Sequence, residues 1–530
     1  MEKQTEQNSR RTRSGSRPNS RPNPRPSPRL DRSQRLAIDQ LDWALPSYSD
    51  HPVQPVSEDD LQRIHDTSMQ VLEDIGIVFL NEEALDILAK AGCDVDFANQ
   101  NVRMDRALVM EMVNRAPAQF TITPRNADRM LTIGGKNMVY SSVASAPNVS
   151  DLDHGRRVGS RPDFQNLIRL NQYFNCLHFI AGYPVEPVDI HASIRHLDCL
   201  YDMLTLSDKV VHAYSLGSGR INDGMEMTRI AAGLTEAEFQ AKPHMLTNIN
   251  STSPLKHDWP MLDGAMRCAR RGQAVIISPF TLSGAMAPAT VAGAIVQQNA
   301  EFLAGLVLLQ LVKPHAPVVY GAFTSNVDMK SGSPAFGTPE YIRAMQISGQ
   351  LARRYRLPWR GSVACAANYP DGQSVWESTA SLNAVSAGHC NMVYHAAGWL
   401  EGGLCASFEK LIMDCEMLQQ MIYLNRPLDL SDDALAFDAI KEVGPGSHFF
   451  GAEHTQRRFK DAFYAPFLSD WRNYEAWEEA GSLTTEKRAN AIMKDILAEF
   501  TPPPMDAGIH DELLDFVNKR KAEGGVPTDF

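Results

Sequence analysis

The sequence predicts an α/β fold, a TIM-type (β/α)8 barrel, on three observations. From about residue 137 onward, eight short apolar runs rich in β-forming residues alternate with longer amphipathic runs. Successive short runs begin about 30–40 residues apart, which is the length of one βα unit. Eight such units in series imply a parallel sheet that closes into a barrel. An open doubly wound sheet is the alternative, but no GxGxxG motif follows a first strand, so its dinucleotide-binding form has no support.

The predicted strands are short apolar runs that contain β-branched and aromatic residues. They cover residues 137–143, 178–184, 210–216, 244–250, 274–280, 317–323, 359–365 and 392–400. A predicted helix follows each strand, with examples at 163–174, 193–204, 261–272 and 339–355. The barrel domain is therefore expected to cover residues 137–425.

Three segments flank the predicted barrel. Residues 37–136 are expected to form an N-terminal helical cap, with helices at 57–76 and 81–92. Each of these helices begins at a Ser or Asn cap and ends at a glycine. Residues 426–530 become helical and polar, and they are predicted to form a C-terminal helical extension that serves as a cap or an oligomer contact.

The third segment is a basic arm, residues 1–36. It holds nine Arg and one Lys against three acidic residues, a net charge of +7. Because it is rich in Arg, Pro, Ser and Asn and almost free of apolar residues, we expect it to be disordered. The net charge of −12 for the whole chain leaves −19 on the remainder. This acidic body, and the lack of aromatic residues among the arginines, argue against a nucleic-acid-binding enzyme.

Composition also predicts a cytoplasmic location. The eight cysteines are scattered, without a CxxC pair, and no secretory signal peptide is evident. This pattern is typical of reduced thiols that act as small core residues. No apolar run reaches 18 residues, so no membrane span is expected. The most apolar stretch, 300–312, contains Glu301 and Gln310 and predicts a buried helix.

The corner between the eighth strand and its helix, WLEGGLCASFEKLIMDCEMLQQ, combines structural and chemical residues. Gly402 and Gly403 permit a sharp turn or a close backbone approach. The following helix is predicted to be capped by Ser407, with Lys410 and Asp414 paired on its exposed side. Glu401 is different, because it follows the carboxyl end of the strand, where barrel active sites form. A solvated loop acid is the alternative interpretation of this residue.

The carboxyl ends of the eight strands should line one pocket, and they are rich in aromatic and amide side chains. They carry Tyr140, Tyr183, Tyr214, Asn248, Asn250, Phe280, Tyr320, Phe323, His395 and Trp399. Core packing alone is the alternative for each aromatic ring. The set contains no Ser-His-Asp order, no HExxH motif and no paired carboxylates. Aromatic faces around an apolar pocket suit a quaternary ammonium, which donates no hydrogen bonds and is held by cation–π contacts.

A zinc site would need His395 together with Cys365, Cys390 or Cys405. Cys390 lies at the start of the eighth strand, at the opposite end of the strand from His395. No group of Cys, His or carboxylate residues in the chain has the spacing of metal ligands. We therefore predict that no metal is bound by side chains of this protein. His395 is expected to form hydrogen bonds instead.

Two stretches resemble the trimethylamine methyltransferase family. They are 316–341 and 358–421, and the second includes DGQSVWEST and HAAGWLEGGLCASFEKLIMDCEML. The resemblance covers roughly residues 57–425. It implies a TIM barrel that moves a methyl group from a methylated amine to the cobalt of a corrinoid protein. It also implies that this partner docks over the carboxyl-terminal mouth, so the corrinoid (cobalamin) is presented by the partner and no cofactor is bound tightly by the chain itself.

One departure from the family pattern affects the substrate. Archetypal members carry pyrrolysine near the seventh strand, whereas this chain has only standard residues there, GSVACAANYPDGQ, with the position aligned near Ala364 or Cys365. Members without pyrrolysine are associated with quaternary amines such as glycine betaine. A quaternary ammonium already bears the charge and leaves as a neutral tertiary amine, so the protein needs only to position it. Proline betaine and carnitine remain open.

These arguments lead to one functional hypothesis, a corrinoid-dependent methyltransferase for a quaternary amine that forms a homo-oligomer. His395 and Glu401 are the expected catalytic residues, and Arg360, Gly402 and Gly403 are candidates for a substrate carboxylate. The remaining predicted substrate-binding residues are Tyr183, Tyr214, Asn248, Asn250, Phe280, Phe323 and Trp399. The alternatives are a barrel enzyme of another class, such as a lyase or a zinc-dependent hydrolase, and a non-catalytic betaine-binding protein.

Overall fold

The computed structural model describes residues 38–528. The predicted disorder of the basic arm, residues 1–36, lies outside this range. The described strands are Ile77–Phe79 (β1), Asp94–Asp96 (β2), Asn101–Arg103 (β3), Gln119–Ile122 (β4), Leu131–Gly134 (β5), Val139–Ser142 (β6), Asn148–Asp151 (β7), Gly155–Val158 (β8), Leu246–Ile249 (β9), Lys256–His257 (β10), Ala274–Ile277 (β11), Leu282–Ser283 (β12), Val318–Gly321 (β13), Ser325–Val327 (β14), Pro334–Ala335 (β15), Trp359–Ser362 (β16), Met392–Ala397 (β17), Trp399–Leu400 (β18) and Cys405–Ser407 (β19).

The α-helices are distributed along the whole described chain. They are Glu58–Gln70 (α1), Glu82–Lys90 (α2), Arg106–Arg115 (α3), Arg161–Tyr173 (α4), Arg195–Leu206 (α5), Gly217–Ala231 (α6), Glu236–Ala241 (α7), Trp259–Arg270 (α8), Val291–Val312 (α9), Pro339–Arg354 (α10), Gly372–Ala387 (α11), Phe408–Leu424 (α12), Asp432–Leu435 (α13), Phe437–Val443 (α14), Glu453–Arg458 (α15), Tyr474–Glu479 (α16), Thr485–Glu499 (α17) and Ala507–Ala522 (α18). The predicted caps of α1 and α2 are confirmed, because Ser57 and Asn81 accept hydrogen bonds from the first turns.

A curled parallel sheet lies at the centre of the fold and confirms the predicted α/β class. Its strand order is β6-β17-β16-β13-β11-β9, and all five neighbouring pairs are parallel. These six strands correspond to six of the eight predicted ones. The other two predicted strands, 178–184 and 210–216, are extended segments between the edge strands β6 and β9. Single parallel bridges join them to each other and to both edges, at Ser141–Phe179, Phe179–Val210 and His212–Leu246.

Two histidines explain why these segments make so few backbone bonds. The Tyr140 amide of β6 donates to Nδ1 of His178, at 3.0 Å. The Asn248 amide of β9 donates to Nε2 of His212, also at 3.0 Å. Each imidazole thus takes the place of a backbone carbonyl in the ladder. Because imidazole nitrogens, and not backbone carbonyls, accept these two amides, the segments lie beside the sheet without a regular ladder of backbone hydrogen bonds.

Alternation along the strands separates two apolar cores. Side chains such as Val139, Leu246 and Val319 form an apolar core on the inner face of the curled sheet. Side chains of the β4–β5 hairpin also pack in this inner core. Neighbouring side chains such as Tyr140 and Val318 face the helices in a larger outer core. This period of two is the pattern of a sheet buried on both faces.

The longest helix, α9, is a core helix of the kind predicted around residues 300–312. Among residues 38–528 it is the one helix with the length and composition to cross a membrane, but 83% of its most apolar 18-residue stretch is buried in the fold. Its carboxylate at Glu301 accepts hydrogen bonds from Ser253 and from the Leu255 amide, at 2.6 and 2.8 Å. The helix therefore packs inside the protein, and no membrane span is indicated.

The C-terminal region packs on the helices of the central domain. α17 lies along α12, and α18 lies along α5 and α6. The α18 contact includes an ion pair between Arg520 and Asp223, at 2.8 Å. Between α12 and α17 the chain forms short helices that leave many large apolar side chains exposed. The boundaries of the four predicted domains remain a prediction.

Candidate active site

A cavity of about 590 Å³ lies at the carboxyl ends of the parallel strands. It brings together eleven of the twelve predicted site residues, which come from five strands of the central sheet, the two extended segments and the loops that follow them. They are Tyr183, Tyr214, Asn248, Asn250, Phe280, Phe323, Arg360, His395, Trp399, Gly402 and Gly403. Their roles in catalysis or binding remain predictions.

A distorted end of β17 aims His395 into the cavity. The register between β17 and β6 shifts between Val393 and Ala397, which marks a bulge. His395 has a φ of 57°, in the left-handed region. Such backbone strain, of about 1–3 kcal/mol per residue, is concentrated at functional sites. The bulge rotates the imidazole out of the alternating pattern.

Two backbone contacts hold the indole of Trp399. Its Nε1 donates to the Cys365 carbonyl at 3.1 Å. Its ring also lies against Gly403, where an added Cβ would be 2.6 Å from the ring atoms. The φ of Gly403 is 103°, which only glycine adopts readily. Gly403 is therefore required for the close approach of the backbone to the aromatic wall.

Aromatic rings form the walls of the cavity in two groups. In one group the His395 and Trp399 rings lie 4.3 Å apart, and Phe323 lies 6.1 Å from Trp399 and 5.1 Å from Phe280, between ring centroids. In the other, Tyr183 and Tyr214 form an edge-to-face pair at 4.6 Å. Such walls present electron-rich faces to a cation.

The floor carries a buried guanidinium, that of Arg360. Its Cζ lies 4.4 Å from the Tyr394 ring centroid and 5.3 Å from that of Phe323. Its Nη1 donates to the Ala322 carbonyl at 3.4 Å, and its Nε has no partner. Within the described part of the chain, no carboxylate pairs with Arg360. Burial lowers its pKa from the usual arginine value, but the group stays charged.

His395 is neutral in this environment. Burial, and then the nearby charge of Arg360, lower its pKa well below the usual histidine value. Its Nδ1 lies 3.2 Å from the Ser362 hydroxyl. A neutral imidazole can position a ligand without repelling a cation.

Glu401 lies outside the cavity, on the rim. Its two carboxylate oxygens accept hydrogen bonds at 2.8 and 2.9 Å from Nε and Nη2 of Arg156, on β8. The structure therefore does not bring this predicted catalytic residue together with the others. Its predicted role remains a prediction.

Lys410 and Asp414 form the predicted ion pair, but the prediction that it lies on the exposed side of α12 is wrong. Both side chains are buried, and the Lys410 Nζ also donates to the Ser378 hydroxyl at 2.9 Å. The reason is that this face of α12 packs against α11, which carries Ser378, whereas α17 contacts a neighbouring face, where its Asn490 donates to Glu409 at 2.8 Å. The second carboxylate oxygen of Asp414 accepts the Gly398 amide at 2.9 Å. The ion pair thus supports the strained corner.

Sequence reasoning missed several residues of the cavity wall. Tyr394 and His212 lie on predicted strands, where alternation with Met392 and Val210 places them on the inner face. That period of two was the available signal. Glu186, Arg195 and Arg220 also line the cavity, and they come from loops and helices for which the sequence carried no comparable signal.

Comparisons with known proteins assign the chain to a family. The family model described as trimethylamine methyltransferase (MTTB) matches residues 23–525. A glycine betaine methyltransferase of Desulfitobacterium hafniense strain Y51 is 37% identical over 89% of this chain and 98% of its own length. A trimethylamine methyltransferase MttB of D. hafniense strain DCB-2 is 29% identical over 89% and 94% of the two chains.

A proline betaine:corrinoid methyltransferase of Eubacterium limosum is 28% identical over 85% of this chain and 94% of its own length. Together these matches cover the described fold and the cavity, and they bear out the resemblance seen in the sequence. The chain belongs to the trimethylamine methyltransferase family and is a methyltransferase.

Proposed function

We propose that this methyltransferase moves a methyl group from a quaternary amine, with glycine betaine as the best single substrate, to the cob(I)alamin of a cognate corrinoid protein. The observation that carries the proposal is the buried, unpaired guanidinium of Arg360 beneath aromatic walls. A zwitterion with a carboxylate at one end and a trimethylammonium at the other complements both features. The names of the similar betaine methyltransferases support the same substrate class.

The charges define how the substrate lies. A carboxylate at the floor pairs with Arg360, and charge-assisted hydrogen bonds of this kind are strong. The ammonium then lies between the two aromatic groups, with Phe323 and Trp399 on one side and Tyr214 on the other, and each ring contributes roughly 0.5–2 kcal/mol of cation–π attraction. The methyl groups in this orientation face the mouth, where the cobalt nucleophile approaches.

The chemistry makes modest demands on the protein. In-line displacement at the methyl carbon breaks the C–N bond, and the electron pair stays on nitrogen to give a neutral tertiary amine. No proton is released, so no general base is needed. Neutral His395 and the aromatic walls hold the reacting carbon in line and exclude water, which is the source of acceleration.

The corrinoid partner is inferred to dock on the loops at the mouth. Large exposed apolar side chains lie in the connections that follow the carboxyl ends of the parallel strands, including the N-terminal part of α11, and they include Val188, Met329, Trp376 and Leu404. An exposed apolar ring around a cavity is typical of a protein docking surface. Glu401 and its partner Arg156 lie on the same rim and can meet polar groups of the partner.

Two further properties belong to this proposal. We infer that the curled sheet closes into an eight-stranded barrel through the two histidine-bridged segments, because single bridges already join both edges. The free cysteines of the described residues, seven of them buried, fit a cytoplasmic location.

A homo-oligomer is supported by the segment between α12 and α17. Its exposed aromatic side chains include Phe437, Phe450, Phe459, Phe463 and Trp471. Five such rings at about 150–250 Å² each approach the roughly 800 Å² that each partner buries in a stable interface. Light scattering of the purified protein should give a mass above that of one chain, and a monomeric mass would contradict this inference.

The function is tested with purified protein, chemically reduced cobalamin and a panel of methylated amines. Glycine betaine should produce the absorbance of methylcobalamin together with dimethylglycine, whereas trimethylamine should not react. The absence of methyl transfer from every betaine, with a cognate corrinoid protein present, would overturn the proposal. Metal-dependent hydrolysis or lyase products would favour another class of enzyme.

A further inference from the structure

Two hydrogen-bond donors on the floor of the cavity lack partners. Nε of Arg360 and the hydroxyl of Tyr394 are both buried and make no hydrogen bond within residues 38–528. The residues are adjacent, since the guanidinium lies over the Tyr394 ring. Buried polar groups are nearly always paired, so two orphans side by side indicate a missing acceptor.

The two histidines beside the floor are already engaged. His212 contacts the Ala181 carbonyl through Nδ1 and accepts the Asn248 amide at Nε2. His395 is bonded to Ser362. Burial raises the pKa of Tyr394, so its hydroxyl keeps its proton and remains a donor. The floor therefore offers one cation, the Arg360 guanidinium, and one hydroxyl donor, that of Tyr394, and together they suit a carboxylate.

The floor is close to the aromatic wall, and one ring belongs to both. The Arg360 Cζ is 5.3 Å from the Phe323 centroid, and Phe323 in turn contacts Trp399 and Phe280. An ammonium among these rings lies near a like charge unless an anionic group stands between them. A carboxylate separated from the ammonium by a single carbon fills that position.

We propose that Arg360 and Tyr394 together form a carboxylate subsite that selects α-betaines over longer betaines and over quaternary amines without a carboxylate. This inference rests on the proposed function and names its substrate class. Tyr394 is assigned as a further substrate-binding residue, whose hydroxyl donates to one carboxylate oxygen while Arg360 donates to the other.

The test measures binding by calorimetry without cobalamin, so that it is independent of methyl transfer. Tyr394→Phe removes only the hydroxyl and should weaken glycine betaine binding roughly 10- to 100-fold, as expected for a bond to a charged group. Binding of tetramethylammonium should be unchanged in this variant. The matched control is Tyr140→Phe, which removes a hydroxyl that contacts Met138 in the outer core and should not affect affinity.

Arg360→Met is expected to increase the affinity for one ligand, a result that a misfolded variant would not give. It should abolish glycine betaine binding but strengthen tetramethylammonium binding at least about threefold, because the like charge is gone. The parent should also bind a betaine with a three-carbon spacer at least about tenfold more weakly than glycine betaine. Equal binding of glycine betaine by the parent and Tyr394→Phe, or no preference for the short spacer, would overturn the subsite. If the parent binds α-betaines but transfers no methyl group, only the proposed function would be contradicted.

Discussion

The Asp414 carboxylate, buried on α12, accepts a hydrogen bond from the Gly398 amide at 2.9 Å. It joins the helix to the point where the chain leaves β17 for the cavity rim. Gly398 itself has a φ of 90° and directly precedes Trp399. The buried ion pair of Asp414 and Lys410 therefore supports the aromatic wall from behind.

Breaking this pair should destabilise the fold. Asp414→Asn leaves the Lys410 ammonium buried without a countercharge, and we expect a loss of about 3–5 kcal/mol in the free energy of unfolding. Urea denaturation of the full chain measures it. The control is Glu111→Gln, which breaks the more exposed ion pair with Arg115 and should cost less than about 1 kcal/mol. Equal losses in the two variants would show that the buried pair has no special role.

The double glycine allows a sharper comparison. Gly403→Ala places a Cβ 2.6 Å from the Trp399 ring, whereas at Gly402 the nearest atom is 3.6 Å away, in Phe336. Both positions have positive φ. Gly403→Ala should displace the indole and weaken betaine binding by roughly tenfold, equivalent to about 1.4 kcal/mol. Gly402→Ala should change affinity by less than about threefold. Calorimetry distinguishes them, and the opposite order would remove Trp399 from the binding wall.

The aromatic wall is tested by truncation. Trp399→Ala and Tyr214→Ala should each weaken betaine binding by about 5- to 30-fold, the equivalent of roughly 1–2 kcal/mol of cation–π attraction, with little change in the fold. Trp376→Ala changes an exposed side chain of α11 and should leave this affinity unchanged but slow methyl transfer to the corrinoid protein. Betaine binding and demethylation at parental levels in both wall variants would place the pocket elsewhere.

His395 is expected to position and not to transfer protons. His395→Gln should retain measurable turnover, and the pH profile of the parent should show no inflection from this group near pH 6.5, because its pKa lies well below that value. Stopped-flow absorbance of methylcobalamin formation gives both results. Stoichiometric zinc in protein purified without added metal, lost together with activity in His395→Ala, would refute the predicted absence of a metal site.

Two other histidines predict acid sensitivity. Burial lowers the pKa of His178 to about 3 and that of His212 to about 4. Below about pH 6.5 the unfolded chain binds a proton at each that the folded chain does not bind. The free energy of unfolding should therefore fall as pH drops from 6.5 toward 4, by about 1.4 kcal/mol per pH unit for each histidine.

Urea unfolding at several pH values between 7 and 5 tests this dependence. His212→Gln should reduce the slope of stability against pH by about one proton. The control, His51→Gln, changes an exposed side chain and should leave the slope unchanged. An unaltered slope in His212→Gln would mean that the buried imidazole takes up a proton in the folded state.

Much of the fold and of the cavity was predictable from local pattern. Six predicted strands match β6, β9, β11, β13, β16 and β17, because alternation and spacing are properties of neighbouring residues. The ends of parallel strands share one edge, so the same pattern also brought eleven predicted residues to one cavity. The weaker strand character of 178–184 and 210–216 was not predictable, since it depends on which partner each histidine reaches.

The sequence by itself determined the α/β class, the family resemblance and the aromatic character of the cavity. Only the tertiary structure decided which polar side chains are buried and paired. Lys410 is buried because its side chain packs against Ser378 of α11, 32 residues earlier in the chain, and Glu401 is turned to Arg156 on a distant hairpin. Arg360 and Tyr394 became a candidate carboxylate site only when their lack of partners was visible. Burial and pairing depend on contacts between segments far apart in sequence, which no local periodicity encodes.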